Sequence, residues 1–298
     1  MATVYLAHDR EGTPVALKLL NPDLGSTVGA ERFRREIRVA ARLQHPNILS
    51  VLDSGVAAVP IGGGTVEFLW FTIPFVNGRN IWERFEQEGP LPAEEVIRIG
   101  RAVAAALAFA NEQGVVHRDI KPDNIMLEGD RVLVADFGVA RAVSEVQDKL
   151  TATGMVVGTP TYMSPEQASG ERELDGRSDI FALACVLYEL LSGEPPFHGP
   201  TPQATLMRRF TGPPRPLRPV VQVPEATEAA LIRALARNPA DRFATAREFA
   251  DALSGSTPAR PAPAAAAAAE APSRRKGCAA VVLFAAASIS GLLLATVA

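Results

Sequence analysis

Eight residues in the middle of the chain, His117-Arg118-Asp119-Ile120-Lys121-Pro122-Asp123-Asn124, constrain the fold more than any other stretch. Six of them are polar or charged, yet an apolar helical run precedes them and Ile125-Met126-Leu127 follows. A charged loop clamped between buried elements is where a scaffold holds reactive groups in fixed geometry. Asp119 and Asn124 stand five positions apart, so one loop can aim both side chains at a single charged centre.

Composition narrows the chemistry around that loop. At 298 residues and 47% hydrophobic, the chain can bury one large core or two ordinary ones. A formal net charge of −3 points to neither a nucleic acid nor an acidic partner. Cys185 and Cys278 lie in separate apolar runs, which supports neither a disulfide framework nor a thiolate metal site. His8, His45, His117 and His198 are scattered with no helical His-x-x-x-His pair, so zinc catalysis is not expected. Residues 1–10 have no apolar core and do not read as a signal peptide. Residues 277–298 contain no charge and follow Arg274-Arg275-Lys276, which predicts a membrane-spanning helix.

Taken in order, Thr3 to His8 and Pro14 to Leu20 predict two strands joined by a turn at Asp9-Arg10-Glu11-Gly12, with Lys18 the one charge in the second strand. Glu31 to Leu43 predicts a helix with Phe33, Ile37, Ala40 and Ala41 on its apolar side and Arg35, Arg38 and Arg42 on a solvated or regulatory face. His45-Pro46-Asn47-Ile48 ends it, and strand is expected again over Ile48 to Asp53. Ile61-Gly62-Gly63-Gly64-Thr65 lacks the following helix and the Lys-Ser/Thr of a phosphate loop, so a hairpin turn is the better reading. A strand over Phe68 to Phe75 follows. The pattern turns helical from Ile81, and a long helix over Pro92 to Gln113 stops at Gly114. Beyond the charged loop, Ile125-Met126-Leu127 and Val132-Leu133-Val134 predict a hairpin that delivers Asp136-Phe137-Gly138. Further helices are expected from Asp179 through Leu191 and from Thr245 to Leu253. Ser254 to Ser273, rich in Ala, Pro and Ser, reads as a linker.

Four strings in this order carry a family resemblance. They are Val15-Ala16-Leu17-Lys18, the H-R-D-x-K-x-x-N of residues 117–124, Asp136-Phe137-Gly138, and Gly158-Thr159-Pro160-x-Tyr162-Met163-Ser164-Pro165-Glu166. Over residues 2 to 253 the chain resembles a protein kinase, specifically the bacterial eukaryotic-type (Hanks-type) serine/threonine kinases that include membrane-anchored receptor-like members. The resemblance implies an α+β, two-lobed protein kinase fold over 1–253, with a β-rich N-lobe at 1–75 lacking its first strand and a helical C-lobe at 77–253. A linker at 254–276 and the transmembrane helix at 277–298 complete the expected organisation.

The same resemblance implies transfer of the ATP γ-phosphate to Ser/Thr hydroxyls of protein substrates, with Mg²⁺. Lys18 would bind phosphate and pair with Glu36. Val4, Ala16, Pro74, Val76 and Met126 would surround the nucleotide. Asp119 would take the hydroxyl proton and Lys121 would stabilise the transferring phosphate, while Asn124 and Asp136 would hold the metal. Lys121 and Thr159 mark the Ser/Thr class. Arg118 would receive a phosphorylated activation-segment residue, Thr151 or Thr153. Glu166 and Arg242 would form a buried ion pair, with Asp179 among the structural residues. Ser164 departs from the family's usual alanine.

The larger departure is the glycine-rich loop. Val4 stands at its final valine and Ala2 at its third glycine, with nothing written before Met1. Two readings stay open: a start codon assigned too late, or a chain that binds ATP weakly or not at all. The leading expectation is a membrane kinase, single-pass in the inner or plasma membrane, with its kinase domain cytoplasmic because the basic triplet precedes the span. The alternative is a pseudokinase scaffold that binds partners without catalysis. Ala287/Gly291 and Gly291/Ala295 have the small-residue spacing that packs two spans, hence an expected homodimer. No nucleic-acid partner is expected.

Overall fold

The computed structural model describes residues 2–20, 30–61, 64–137, 160–218 and 221–255. The chain divides into a unit of residues 1–263 and a second of 264–298, and every described residue falls in the first.

The small lobe is a four-stranded antiparallel sheet. Strands β1 (Ala2–His8) and β2 (Pro14–Leu20) form a hairpin that sets Val4 opposite Lys18. Its turn is built by Asp9, whose Oδ1 accepts the N–H groups of Glu11 and Thr13 at 2.9 and 2.8 Å. Gly12 sits there at φ 82°, a conformation costly for any residue with a Cβ. Strands β3 (Asp53–Ile61) and β4 (Gly64–Pro74) complete the order β1-β2-β4-β3. Ile61 pairs opposite Gly64 at the end of an antiparallel β3–β4 ladder, and Gly62 and Gly63, where the turn is expected, lie outside the described residues. β1 is an outer strand, and Val4, Tyr5 and Leu6 are half exposed or more.

Helix α1 (Ala30–Ala40) packs Phe33 and Ile37, one turn apart, onto Leu69, Phe71 and Ile73 of one face of β4. It ends three residues before the predicted Leu43. The chain tightens there, with Arg42 and Leu43 donating to the carbonyls of Val39 and Ala40, the spacing of a narrower turn. The strand expected over 48–53 does not form. Leu49 donates to the Val134 carbonyl and Val134 to the Asn47 carbonyl, while Leu52 donates to Thr72 of β4, so this stretch divides its backbone groups between two sheets. Only an isolated parallel bridge, Ile48 with Val134, results.

In the large lobe, β5 (Arg79–Asn80), β6 (Ile125–Glu128) and β7 (Arg131–Val134) form a second sheet in the order β5-β6-β7. Around it lie α2 (Ile81–Glu88), α3 (Ala93–Glu112), α4 (Pro165–Ala168), α5 (Gly176–Ser192), α6 (Pro202–Thr211), α7 (Glu225–Ala234) and α8 (Ala246–Leu253). α5 is the axis of this lobe: every residue from Ser178 to Leu191 is buried. A helix apolar all round must be enclosed by neighbours, and α3, α7 and α8 supply them. Helices α6 and α7 were not anticipated from the sequence. α6 buries Thr205 and Arg209 rather than an apolar stripe, so its sequence carries no clear hydrophobic period.

Strand β7 shows how the lobes share material. Successive side chains of a strand point to opposite faces. Val132 and Val134 enter the large-lobe core, while Leu133 and the following Ala135 enter the small-lobe core. A strand buried on both faces reads as a continuous apolar run, which is what Val132-Leu133-Val134-Ala135 is. The next residue is Asp136, so the strand's double anchorage fixes where that carboxylate emerges.

Among the described residues, no helix is long and apolar enough to cross a membrane, and the span expected at 277–298 lies outside them.

The link between the lobes also depends on close backbone approach. A Cβ at Gly78 would collide with the Leu127 carbonyl oxygen of β6, an atom held by the sheet. Gly78→Ala should therefore destabilise the protein by about 1–3 kcal/mol, measured as a lower midpoint in urea denaturation.

Candidate active site

The charged loop is positioned from beneath by one carboxylate. Asp175 caps α5 by accepting the Arg177 N–H at 2.8 Å, and one turn on Asp179 sits fully buried. Its two oxygens accept the backbone N–H groups of His117 and Arg118, each at 2.8 Å. Burial pushes its carboxyl above the usual range, against the opposing pull of the neighbouring His117 and those two donors. The bonds hold Arg118 at φ 70°, a left-handed conformation that a residue with a side chain rarely adopts.

His117 is buried and serves the loop through both ring nitrogens. Nδ1 accepts the Asp119 N–H at 3.3 Å, so Nε2 carries the proton that reaches the Ala135 carbonyl at 2.9 Å. Its ring meets Phe137 edge-on at a centroid distance of 4.6 Å. The loop is thereby tied to the residues on either side of Asp136.

Asp119 projects outward with its side chain 47% exposed. Asn124 Nδ2 donates to its backbone carbonyl at 2.8 Å and to Oδ2 at 3.1 Å, and Lys121 Nζ lies 2.9 Å from the same Oδ2. Among the described residues nothing engages Asp119 Oδ1 or Asn124 Oδ1. The amide orientation follows from chemistry, since a carbonyl can only accept, which leaves the Asn124 oxygen facing away from Asp119. Asp136, also left-handed at φ 68°, completes the group. Asn124 and Asp136 offer oxygen donors suited to a hard divalent cation such as Mg²⁺.

The expected Lys18–Glu36 ion pair is not formed. Lys18 Nζ instead lies 2.5 and 2.6 Å from the two oxygens of Asp136, with only 14% of its side chain exposed. Both oxygens of Asp136 meet the Lys18 ammonium, which ties β2 to the residue that follows the β7 run. Glu36, buried in α1, lies 3.7 Å from Arg35 of its own helix.

Of the residues expected around a nucleotide, Ala16, Val76 and Met126 are half-buried and pack together against the small-lobe core. Ala16 pairs opposite Ile73, and Val15 opposite Pro74 at the end of β4. Val4 lies opposite Lys18 but is 54% exposed. Thr151, Thr153, Thr159 and Gly138 lie outside the described residues.

Glu166 and Arg242 meet in a two-pronged ion pair, with Arg242 donating to Oε1 at 2.7 Å and to Oε2 at 2.8 Å. Ser178 Oγ adds a third bond to Glu166 at 2.6 Å. Arg242 also donates to the carbonyls of Ala236, Arg177 and Arg237 and lies 4.9 Å from the Phe181 ring centre. Burial alone would raise the Glu166 pKa, but Arg242 outweighs it and holds the carboxyl below its usual range. Two features escaped the sequence reading. Tyr162 donates to the buried Glu189 at 2.6 Å, a contact between residues 27 positions apart that no local pattern announces. Gln167, three residues after Ser164, completes a capping box, a signal the S-P-x-Q spacing did contain.

Comparison with known proteins agrees with this geometry. Residues 1–252 match the protein kinase domain family. Serine/threonine-protein kinase PknB of Mycolicibacterium smegmatis is 40% identical over 253 residues, covering 84% of this chain and 40% of that protein. PknB of Mycobacterium tuberculosis is 39% identical over the same length and coverage. The crystal structure of the Mycobacterium tuberculosis PknI kinase domain is similar at a TM-score of 0.65 and 34% identity, covering 86% of this chain and 92% of that one. The chain belongs to the protein kinase domain family, in the branch of bacterial Hanks-type serine/threonine kinases. It spans 40% of the length of the PknB relatives. Kinases of this family in general use ATP and a divalent metal.

The Glu166–Arg242 pair gives a stability prediction with a definite sign. A depressed folded-state pKa contributes stability above the unfolded value, about 4.3, and that contribution is lost as pH falls through the lowered folded value. Glu166→Gln leaves Arg242 buried without its anion and should cost about 3–5 kcal/mol at neutral pH. Urea denaturation from about pH 7 down to pH 3 should show the gap between wild type and variant closing as the carboxyl protonates.

Proposed function

We propose that the chain is a serine/threonine protein kinase that transfers the ATP γ-phosphate to Ser/Thr hydroxyls of proteins. The observation that carries this is the state of Asp119: exposed, held on one oxygen by Asn124 and Lys121, with its other oxygen unengaged among the described residues. That arrangement suits a group that must orient a hydroxyl and accept its proton. The names of the relatives support the Ser/Thr class.

The residues divide the work. Asp119 positions the acceptor hydroxyl and takes its proton. Lys121, already beside Asp119, places a positive charge where the transferring phosphoryl group would pass. Lys18 spends two of its three N–H donors on Asp136 and keeps one for a phosphate oxygen. Asn124 Oδ1 and the Asp136 carboxylate would hold Mg²⁺, which when bound neutralises charge on the β- and γ-phosphates. Phosphoryl transfer through a loose transition state needs positioning and charge neutralisation more than covalent chemistry, and these residues supply both. The scaffold alternative is disfavoured, because Lys18, Asp119, Asn124 and Asp136 are all retained and gathered in one place.

Two further parts of the proposal rest on sequence. Arg118 would receive a phosphate placed on Thr151 or Thr153 by autophosphorylation. Residues 277–298 would anchor the kinase to a membrane, with its domain on the cytoplasmic side.

Incubation with γ-labelled ATP and a generic basic protein tests the activity. Wild type should label the substrate, and Asp119→Asn should reduce the rate by about 10²–10⁴-fold. Phosphopeptide mapping should find label on Thr151 or Thr153, and active protein with neither modified would remove autophosphorylation from the account. Fractionation of expressing cells tests the anchor: deleting 277–298 should move the kinase from the membrane to the soluble fraction, and unchanged distribution would defeat it.

A further inference from the structure

Three of the hydrogen bonds that Gln167 makes serve two separate structures. Its backbone N–H donates to Ser164 Oγ at 3.3 Å, and its side-chain oxygen accepts the Ser164 N–H at 3.1 Å. These close the capping box at the start of α4. The third bond leaves the helix: Nε2 donates to the backbone carbonyl of Arg118 at 2.9 Å, across 49 residues of sequence. The two ends of the amide cannot be exchanged, because the Ser164 N–H can only donate and the Arg118 carbonyl can only accept.

The target of that third bond is the residue before Asp119. Arg118 is left-handed at φ 70°, a conformation that persists only where its surroundings hold it. Its N–H is taken by Asp179 and its carbonyl by Gln167. The peptide groups on both sides of the strained residue are therefore gripped, one from α5 and one from α4. The second of these peptides leads directly into Asp119, so its rotation would swing the Asp119 side chain.

The identity of the side chain matters here. A capping box needs only an acceptor at its third position, and glutamate serves there as well as glutamine. Only the amide can also donate, and the donation is what reaches Arg118.

We propose that Gln167 is a positioning residue for phosphoryl transfer, locking the Arg118–Asp119 peptide so that the Asp119 carboxylate stays aimed at the acceptor hydroxyl. The inference rests on the kinase reading above. It also makes the end of the activation segment, through Ser164 and Gln167, a direct determinant of catalytic-loop geometry.

The test compares the full-length wild type with Gln167→Glu and Gln167→Met, measuring kcat, KM for ATP and melting temperature. Gln167→Glu keeps the capping acceptor but sets a carboxylate against the Arg118 carbonyl. It should melt within a few degrees of wild type, while kcat falls about tenfold with KM for ATP unchanged. Gln167→Met loses both roles, and should show the same fall in kcat together with a lower melting temperature. Equal kcat for wild type and Gln167→Glu overturns the positioning role while leaving the kinase reading intact. A Gln167→Glu protein that melts far below wild type also overturns it, because the residue is then a structural cap. A wild type that transfers no phosphate overturns the kinase reading itself, and the positioning role with it.

Discussion

Two hydrogen bonds to one buried carboxylate hold the site together. Asp179 lies at the head of a helix enclosed on all sides, and its oxygens take the N–H groups of His117 and Arg118. Burying a carboxylate is costly, and the two donors offset part of that cost. In exchange the loop inherits the rigidity of the most buried helix among the described residues. The left-handed turn at Arg118, the outward projection of Asp119 and the return through Asn124 all follow from that anchorage.

The same helix head governs the segment on the other side of the site. Ser178, adjacent to Asp179, donates to Glu166, and Arg242 completes the enclosure of that carboxylate. Glu166 is next in sequence to Gln167, whose amide reaches back to Arg118. Two neighbouring residues of α5 thus grip Glu166 of α4 and two residues of the charged loop, and Gln167 closes the circuit from α4 to that loop. A closed circuit of this kind is stiffer than its separate bonds, since each is made between groups already held by the others.

The upper half of the site depends on a different device. β7 places alternate side chains in two cores, so neither lobe can shift without disturbing the strand that ends at Asp136. Lys18 reaches that carboxylate from β2, and this contact joins the small lobe to the catalytic group. The pairing of Lys18 with Asp136 rather than Glu36 makes the point that sequence names the ions while geometry chooses among them. Both carboxylates are present, and only the three-dimensional arrangement decides which one a single ammonium meets.

Much of this is legible in the residues alone. The H-R-D-x-K-x-x-N string, the strand lysine and the hairpin leading to Asp136 are local patterns, and local patterns are what a linear sequence displays. Strand and helix periods located β1, β2, α1 and α3 within a few residues, since one apolar face per element is enough to mark them. What could not be read was set by distant partners. The stretch 48–52 has strand-like residues but divides its hydrogen bonds between β7 and β4, and α6 buries Arg209 and Thr205 where a period of apolar residues would have announced it. The sequence by itself determined the chemical inventory and the order of the elements. Tertiary structure alone decided that Lys18 closes on Asp136 and that Gln167 reaches Arg118, because those contacts join residues 118 and 49 positions apart, and only the packed fold brings such groups within bonding distance.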